Sequence, residues 1–297
     1  MAIHPTDISS GNFRSVARAI SLIENEVGGY ETLLESIKPI HTNNIIGITG
    51  PPGAGKSTIV DQLIRKFVEN GKRVAVLCVD PSSPFNLGAL LGDRIRMSQW
   101  YNHPDVFIRS LASRASLGGL HPSIVEIVLL LQSAPFDYIL IETVGVGQSE
   151  IDIASLADCK IVVLVPEGGD EIQSMKSGLM EIADLFVINK ADRPDANKFA
   201  TIVEAMLHNR IDAESNIQVI KVVGTTGFGI DKVYDTIKNN PQSNHAPVAL
   251  MAERAYQLIQ KERMKGINKA ELKAAITDAL TKGNFNLINI VKAYRNS

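Results

Sequence analysis

Residues 47 to 58, "GITGPPGAGKST", carry glycines, one ammonium and two hydroxyls at the end of an apolar run. Gly50 to Ser57 match G-x-x-x-x-G-K-[ST], and the chemistry of that pattern is phosphate binding. Glycines at 50, 53 and 55 let successive backbone N–H groups turn inward around an anion, with Pro51, Pro52 and Ala54 completing the loop. A helix expected from about Lys56 offers the same point its positive end. Lys56 is then placed to reach the β- and γ-phosphates, Ser57 to hold Mg²⁺, and Thr58 to close the cradle. The competing reading, a glycine-rich turn that binds nothing, does not account for the lysine, the hydroxyl and the flanking elements together.

A phosphate loop does not name a base, and a second motif does that. "NKAD", Asn189 to Asp192, follows the strand-like run "DLFVI". An aspartate carboxylate is acceptor-only and matches the two adjacent donors of guanine, whereas adenine would leave it unpaired. Asn189 is expected to brace the loop and Lys190 to lie along the base. The expected nucleotide is therefore GTP or GDP and not ATP.

Carboxylates at strand ends suit Mg²⁺, which prefers oxygen ligands. Asp80 ends "RVAVLCVD", Glu142 ends "DYILIE", and Asp93 lies in "SSPFNLGALLGDRIRM". For Asp80 and Asp93, helix capping or turn formation is the competing reading. Glu142 to Gly145, "ETVG", has the form of the switch motif D-x-x-G with glutamate in place of aspartate, so the Gly145 N–H is a candidate sensor of the γ-phosphate. Lys56, Glu142, Asp93 and Gln148 form the candidate catalytic set. Gln148 would orient the attacking water, against the plain alternative of a surface glutamine; Lys176 and Arg109 are candidates for an added cation.

These groups need a scaffold that brings strand ends together. Short apolar runs, "NIIGIT", "RVAVLCVD", "VFIRSL", "DYILIET", "KIVVLVP", "DLFVINK" and "IQVIKVV", alternate with helical stretches between about 43 and 239. That alternation predicts a mostly parallel α/β sheet covered on both faces. Val16, Ile20 and Ile23 predict a helix over 14–26, stopped by Gly28 and Gly29, with another from Tyr30. After a polar stretch at 239–247 the chain turns helical, with Asn268 as an N-cap, Glu271 as its box partner, and Leu272, Ile276 and Leu280 as an apolar stripe. The stripe has two readings, local packing or an oligomerisation arm. The boundaries expected are 1–42, 43–243 and 244–297.

Composition narrows the partners. Thirty basic residues against 32 acidic ones give a formal net charge of −2, with no block of one sign to attract nucleic acid or an anionic membrane. No run of 18 apolar residues and no basic-then-apolar leader is visible, so a cytoplasmic location is expected. Cys78 and Cys159 sit singly in apolar runs and are expected to be buried thiols.

"GPPGAGKST", "VDPSSP", "LLGDRIRM", "LGGL", "IETVGVGQSE" and "PEGGDEIQSMKSGLMEIADLFVINKAD" together resemble the MeaB/ArgK family of P-loop GTPases. The resemblance implies a SIMIBI-like GTPase domain using GTP/GDP and Mg²⁺, preceded by helices and followed by a helical arm that makes a homodimer. It also implies that GTP hydrolysis is coupled to loading or protection of an adenosylcobalamin-dependent acyl-CoA mutase, methylmalonyl-CoA mutase above all, with "VPEGGDEIQSMKSG" as a further switch. One departure stands out: the family's usual Ser-Ala in the guanine-contacting loop is Val223-Gly224 here, a contact expected through backbone N–H groups. The alternatives are a metal-insertion GTPase, or a kinase or ATPase associated with amino-acid transport.

Overall fold

The computed structural model describes residues 3–38, 44–80, 97–113, 120–144, 151–167, 183–208, 217–239, 248–264 and 266–295. Among them seven strands form one sheet: β1 (Asn44–Thr49), β2 (Val74–Asp80), β3 (Val106–Ala112), β4 (Tyr138–Glu142), β5 (Cys159–Leu164), β6 (Leu185–Ile188) and β7 (Gln218–Lys221). Their order is β3-β2-β4-β1-β5-β6-β7, and every pairing is parallel. All seven residues of β2 and all five of β4 are buried, as strands sandwiched between helices must be. This is why the apolar runs are continuous instead of alternating. Cys78 and Cys159 are buried free thiols within that sheet.

The first unit, 1–246, contains helices α1 (Pro5–Ser9), α2 (Phe13–Glu24), α3 (Tyr30–Ser36), α4 (Lys56–Glu69), α5 (Ile124–Gln132), α6 (Ile151–Leu156), α7 (Ala196–His208) and α8 (Ile230–Asn239). Phe67 of α4 packs against the rings of Tyr138 and Tyr234, at centroid distances of 4.1 and 5.4 Å. A second cluster joins Phe186 of β6 to Phe199 and Val203 of α7. The α2 helix is capped by Asn12, whose side chain accepts from the N–H groups of Arg14 and Ser15, both at 3.1 Å. It buries Val16, Ala19, Ile20 and Ile23, and its Phe13 ring meets Phe107 of β3 and Phe136 at 5.6 and 5.9 Å. Each large apolar side chain so buried contributes roughly 1.5–3 kcal/mol, so the N-terminal helices are an integral part of the first unit.

The second unit, 247–297, consists of α9 (Val248–Arg263), α10 (Lys269–Thr281) and α11 (Leu287–Arg295). Asn268 caps α10 by accepting the Ala270 N–H at 2.8 Å, while Glu271 meets the capping side chain itself at 3.4 Å. No residue of α10 is buried, and Leu280 is 59% exposed; the expected stripe forms no core in this unit. Among the described residues, no helix is long and apolar enough to cross a membrane.

Candidate nucleotide site

The carboxyl ends of β2, β4 and β1 lie side by side, because β4 is the shared neighbour of the other two. Across those pairings, Ile48 and Cys78 both stand opposite Glu142. The chain leaves β1 toward β2 on one side of the sheet and leaves β4 toward β5 on the other. Opposed connections from adjacent strands open a crevice at their carboxyl ends, the usual ligand position in such sheets.

Into this crevice β1 delivers its glycine loop. At Gly50 the backbone turns at φ +136°, and a Cβ there would lie 2.0 Å from the carbonyl oxygen of Val163, so only glycine lets the loop pass this close to β5. At Gly55, φ +89°, a Cβ would lie 2.2 Å from Asn189 Nδ2. Between them Pro52 and Gly53 are exposed while Ala54 is buried, and the Ala54 N–H donates to Pro51 O at 3.2 Å. The α4 helix starts at Lys56, which brings the positive end of its dipole to the glycine loop. Lys56 is nearly buried, and its ammonium donates to the loop carbonyls of Gly50 and Pro51 at 2.8 and 3.1 Å.

Ser57 is the link to the carboxylates. Its hydroxyl donates to Glu142 Oε1 at 2.7 Å, with both residues 4% exposed. Asp80, also buried, ends the adjacent strand β2. The donor set of hydroxyl and carboxylate oxygens fits a hard cation such as Mg²⁺. Ser57 and Glu142 are the groups that could hold it, and Asp80 ends the strand next to that of Glu142. Next to them Thr143 Oγ1 donates to Thr49 Oγ1 at 2.9 Å, both hydroxyls buried. This pair joins the residue before the glycine loop to the residue after Glu142. Motif reading missed it, the signal being only that each threonine adjoins a recognised motif.

The NKAD loop follows β6. The Asn189 amide donates to Ala54 O at 2.8 Å, and its Oδ1 accepts the Gly224 N–H at 3.0 Å. One buried side chain thus ties the phosphate loop to the loop after β7. Lys190 is a non-glycine residue at φ +57°, a conformation costing about 1 kcal/mol or more, tolerated where a site demands it. It is held by the Ala191 N–H to Val222 O and the Arg193 N–H to Lys190 O, both at 3.0 Å, and leaves Asp192 exposed at the loop tip.

Two further placements bear on the expected contacts. The N–H groups of Val223 and Gly224 are engaged within the protein, with Phe228 O at 3.0 Å and Asn189 Oδ1 respectively. These bonds join the loop after β7 to Asn189 and to Phe228. A Cβ on Gly224 would lie 3.1 Å from Thr58 Cγ2, so a glycine suits the close approach here. Arg109 is not at the nucleotide crevice: it sits within β3, and its guanidinium bonds Ser21 Oγ at 3.1 Å and Glu24 Oε2 at 2.6 Å on α2. Asp93, Gly145, Gln148 and Lys176 lie outside the described residues.

The model of the methylmalonyl Co-A mutase-associated GTPase MeaB matches residues 16–280. The chain belongs to the MeaB family. This MeaB-family chain is 45% identical over 240 residues to a protein of Pyrococcus horikoshii, covering 78% of this chain and 75% of that one. It is 39% identical over 217 residues to the mouse mitochondrial methylmalonic aciduria type A homolog, covering 71% of this chain and 52% of that one. Among solved structures it resembles an LAO/AO transport system kinase, with a TM-score of 0.67, 26% identity, and coverage of 98% and 95% of the two chains. The architecture is that of a P-loop GTPase, and the MeaB-family chain is a GTPase.

Proposed function

We propose that this GTPase is an accessory protein of an adenosylcobalamin-dependent acyl-CoA mutase, in the first place methylmalonyl-CoA mutase. Its GTP and GDP states would gate the loading or protection of the mutase's cofactor. Asn189 carries the nucleotide part of the reading: by bonding both Ala54 O and the Gly224 N–H it makes the phosphate cradle and the base-reading loop one preorganised unit. Membership of the MeaB family supports the mutase part.

In this reading the glycine loop and the start of α4 surround the β-phosphate with backbone N–H groups, the Ala54 N–H leaving Pro51 O to join them. The Lys56 ammonium transfers from the loop carbonyls of Gly50 and Pro51 to the β/γ-phosphate oxygens, where it stabilises the charge of the leaving group. Mg²⁺ would neutralise the β/γ oxygens when bound. Ser57 and Glu142 would hold it, together with Asp80 and Asp93, directly or through water. Asp192 accepts from guanine, while Lys190 lies along the ring. Gly145 senses the γ-phosphate and Gln148 orients the attacking water. The 247–297 unit makes the homodimer, in the cytoplasm.

The test is steady-state phosphate release from GTP and from ATP, with and without purified methylmalonyl-CoA mutase. GTP turnover accelerated by the mutase, with mutase binding that differs between the GTP-analogue and GDP states, is expected by reciprocal linkage. Equal use of ATP would overturn the base assignment. A mutase that alters neither turnover nor binding would overturn the partnership.

A further inference from the structure

Away from the nucleotide crevice, the N-terminal helices and strand β3 enclose an open cavity of about 1180 Å³. Among the described residues three arginines and no carboxylate line it: Arg14 and Arg18, one turn apart on α2, and Arg109 from β3. Arg109 is already matched, since Glu24 holds it at 2.6 Å. Arg14 and Arg18 have no ion-pair partner among the described residues, and both are exposed. Like charges spaced i, i+4 destabilise a helix. Here they do so on the face of α2 that borders a cavity, whose lining side chains other than the arginines carry no charge: apolar Ala17, Leu22 and Leu33 beside the hydroxyls of Ser21, Thr32 and Ser36.

We propose that this cavity is a binding site for an organic anion with a phosphate or carboxylate head on an apolar body. Guanidinium groups present planar pairs of N–H donors that match such heads in two-point contact, and two of them one turn apart can share one head group. The apolar wall takes the body, and the volume exceeds the roughly 300–1,000 Å³ typical of pockets for small ligands. Arg109 is fixed by Glu24 and Ser21, so it frames the site without competing for the head. The cavity is walled by α2, α3 and β3, apart from the glycine loop and the NKAD loop, and it is independent of the nucleotide reading.

The experiment uses the full chain saturated with GDP and Mg²⁺, with 8-anilinonaphthalene-1-sulfonate as fluorescent anionic probe. Hexyl phosphate and hexanol serve as competitors. The probe is expected to bind, to be displaced by hexyl phosphate at concentrations at least tenfold below those of hexanol, and to weaken as salt rises. R14S/R18S should weaken this hexyl-phosphate-sensitive binding at least tenfold while leaving GTP turnover unchanged. Gly28 lines the same cavity and has open space where a Cβ would stand, so G28F should block the probe with both arginines intact. Phosphatidylcholine vesicles with and without phosphatidylglycerol form a second arm: arginine-dependent binding to the anionic vesicles assigns the head to a lipid, and its absence assigns it to a free metabolite. Probe binding unchanged in both variants, or displacement by hexanol as effective as by hexyl phosphate, would overturn the site.

Discussion

Asn189→Ala tests whether the phosphate loop and the base loop are one structure. The Asn189 side chain is 3% exposed and makes two bonds, to Ala54 O at 2.8 Å and from Gly224 N at 3.0 Å. Each such bond contributes about 0.5–1.5 kcal/mol, and a polar group left buried without a partner costs about 1–3 kcal/mol. Partial relaxation lets water reach one of the two groups, which places the loss at roughly 2–4 kcal/mol. For a unit of this size, at roughly 2–4 °C per kcal/mol, the melting temperature should fall by about 4–16 °C. GDP affinity should fall as well, because the cradle is no longer preorganised. A sharper form uses Gly55, where a Cβ would lie 2.2 Å from Asn189 Nδ2. Gly55→Ala should cost less in the Asn189→Ala background than in the native one, because the clash is gone and only the positive-φ strain remains. Scanning calorimetry and GDP titration on the four proteins of that cycle supply the numbers. Additive losses, or an Asn189→Ala protein that melts within a degree of the native one, would refute the coupling.

Lys56→Ala should abolish GTP hydrolysis and weaken triphosphate binding, since this ammonium is the cation that the glycine loop holds at its mouth; phosphate release measures it, and native turnover would remove Lys56 from the chemistry. Asp192→Asn replaces an acceptor with a donor at an exposed loop tip, so preference should move from GTP to xanthosine triphosphate by roughly tenfold or more, a charged hydrogen bond being worth about 1.5–3 kcal/mol; competition binding with GTP, xanthosine triphosphate and ATP checks it. Ending the chain at Ala246 should leave a folded GTP-binding unit with reduced self-association, and light scattering that shows the same oligomer for both lengths would reject the arm.

Local sequence was enough to specify the strands, the glycine loop and the base motif, because each depends on forces acting within a few residues. The runs that become β2 and β4 are continuous in β-branched and apolar residues, which is what a strand buried on both faces requires. Gly50 and Gly55 stand where the backbone takes φ values of +136° and +89°, a demand that glycine in the sequence already announces. Strand order is another matter. That β4 lies between β2 and β1 follows from how helices cover the two faces, and only that order places Ser57 at 2.7 Å from Glu142, a residue 85 positions away. The same holds for Thr49 with Thr143, for Arg109, whose charge is spent on Glu24 of α2, and for the Gly224 N–H, which the sequence offers to a base and tertiary packing gives to Asn189. Side-chain partners across the sheet are chosen by distance in space. A motif constrains the backbone around itself, while the neighbour that meets it from another strand is selected only when the whole sheet has closed.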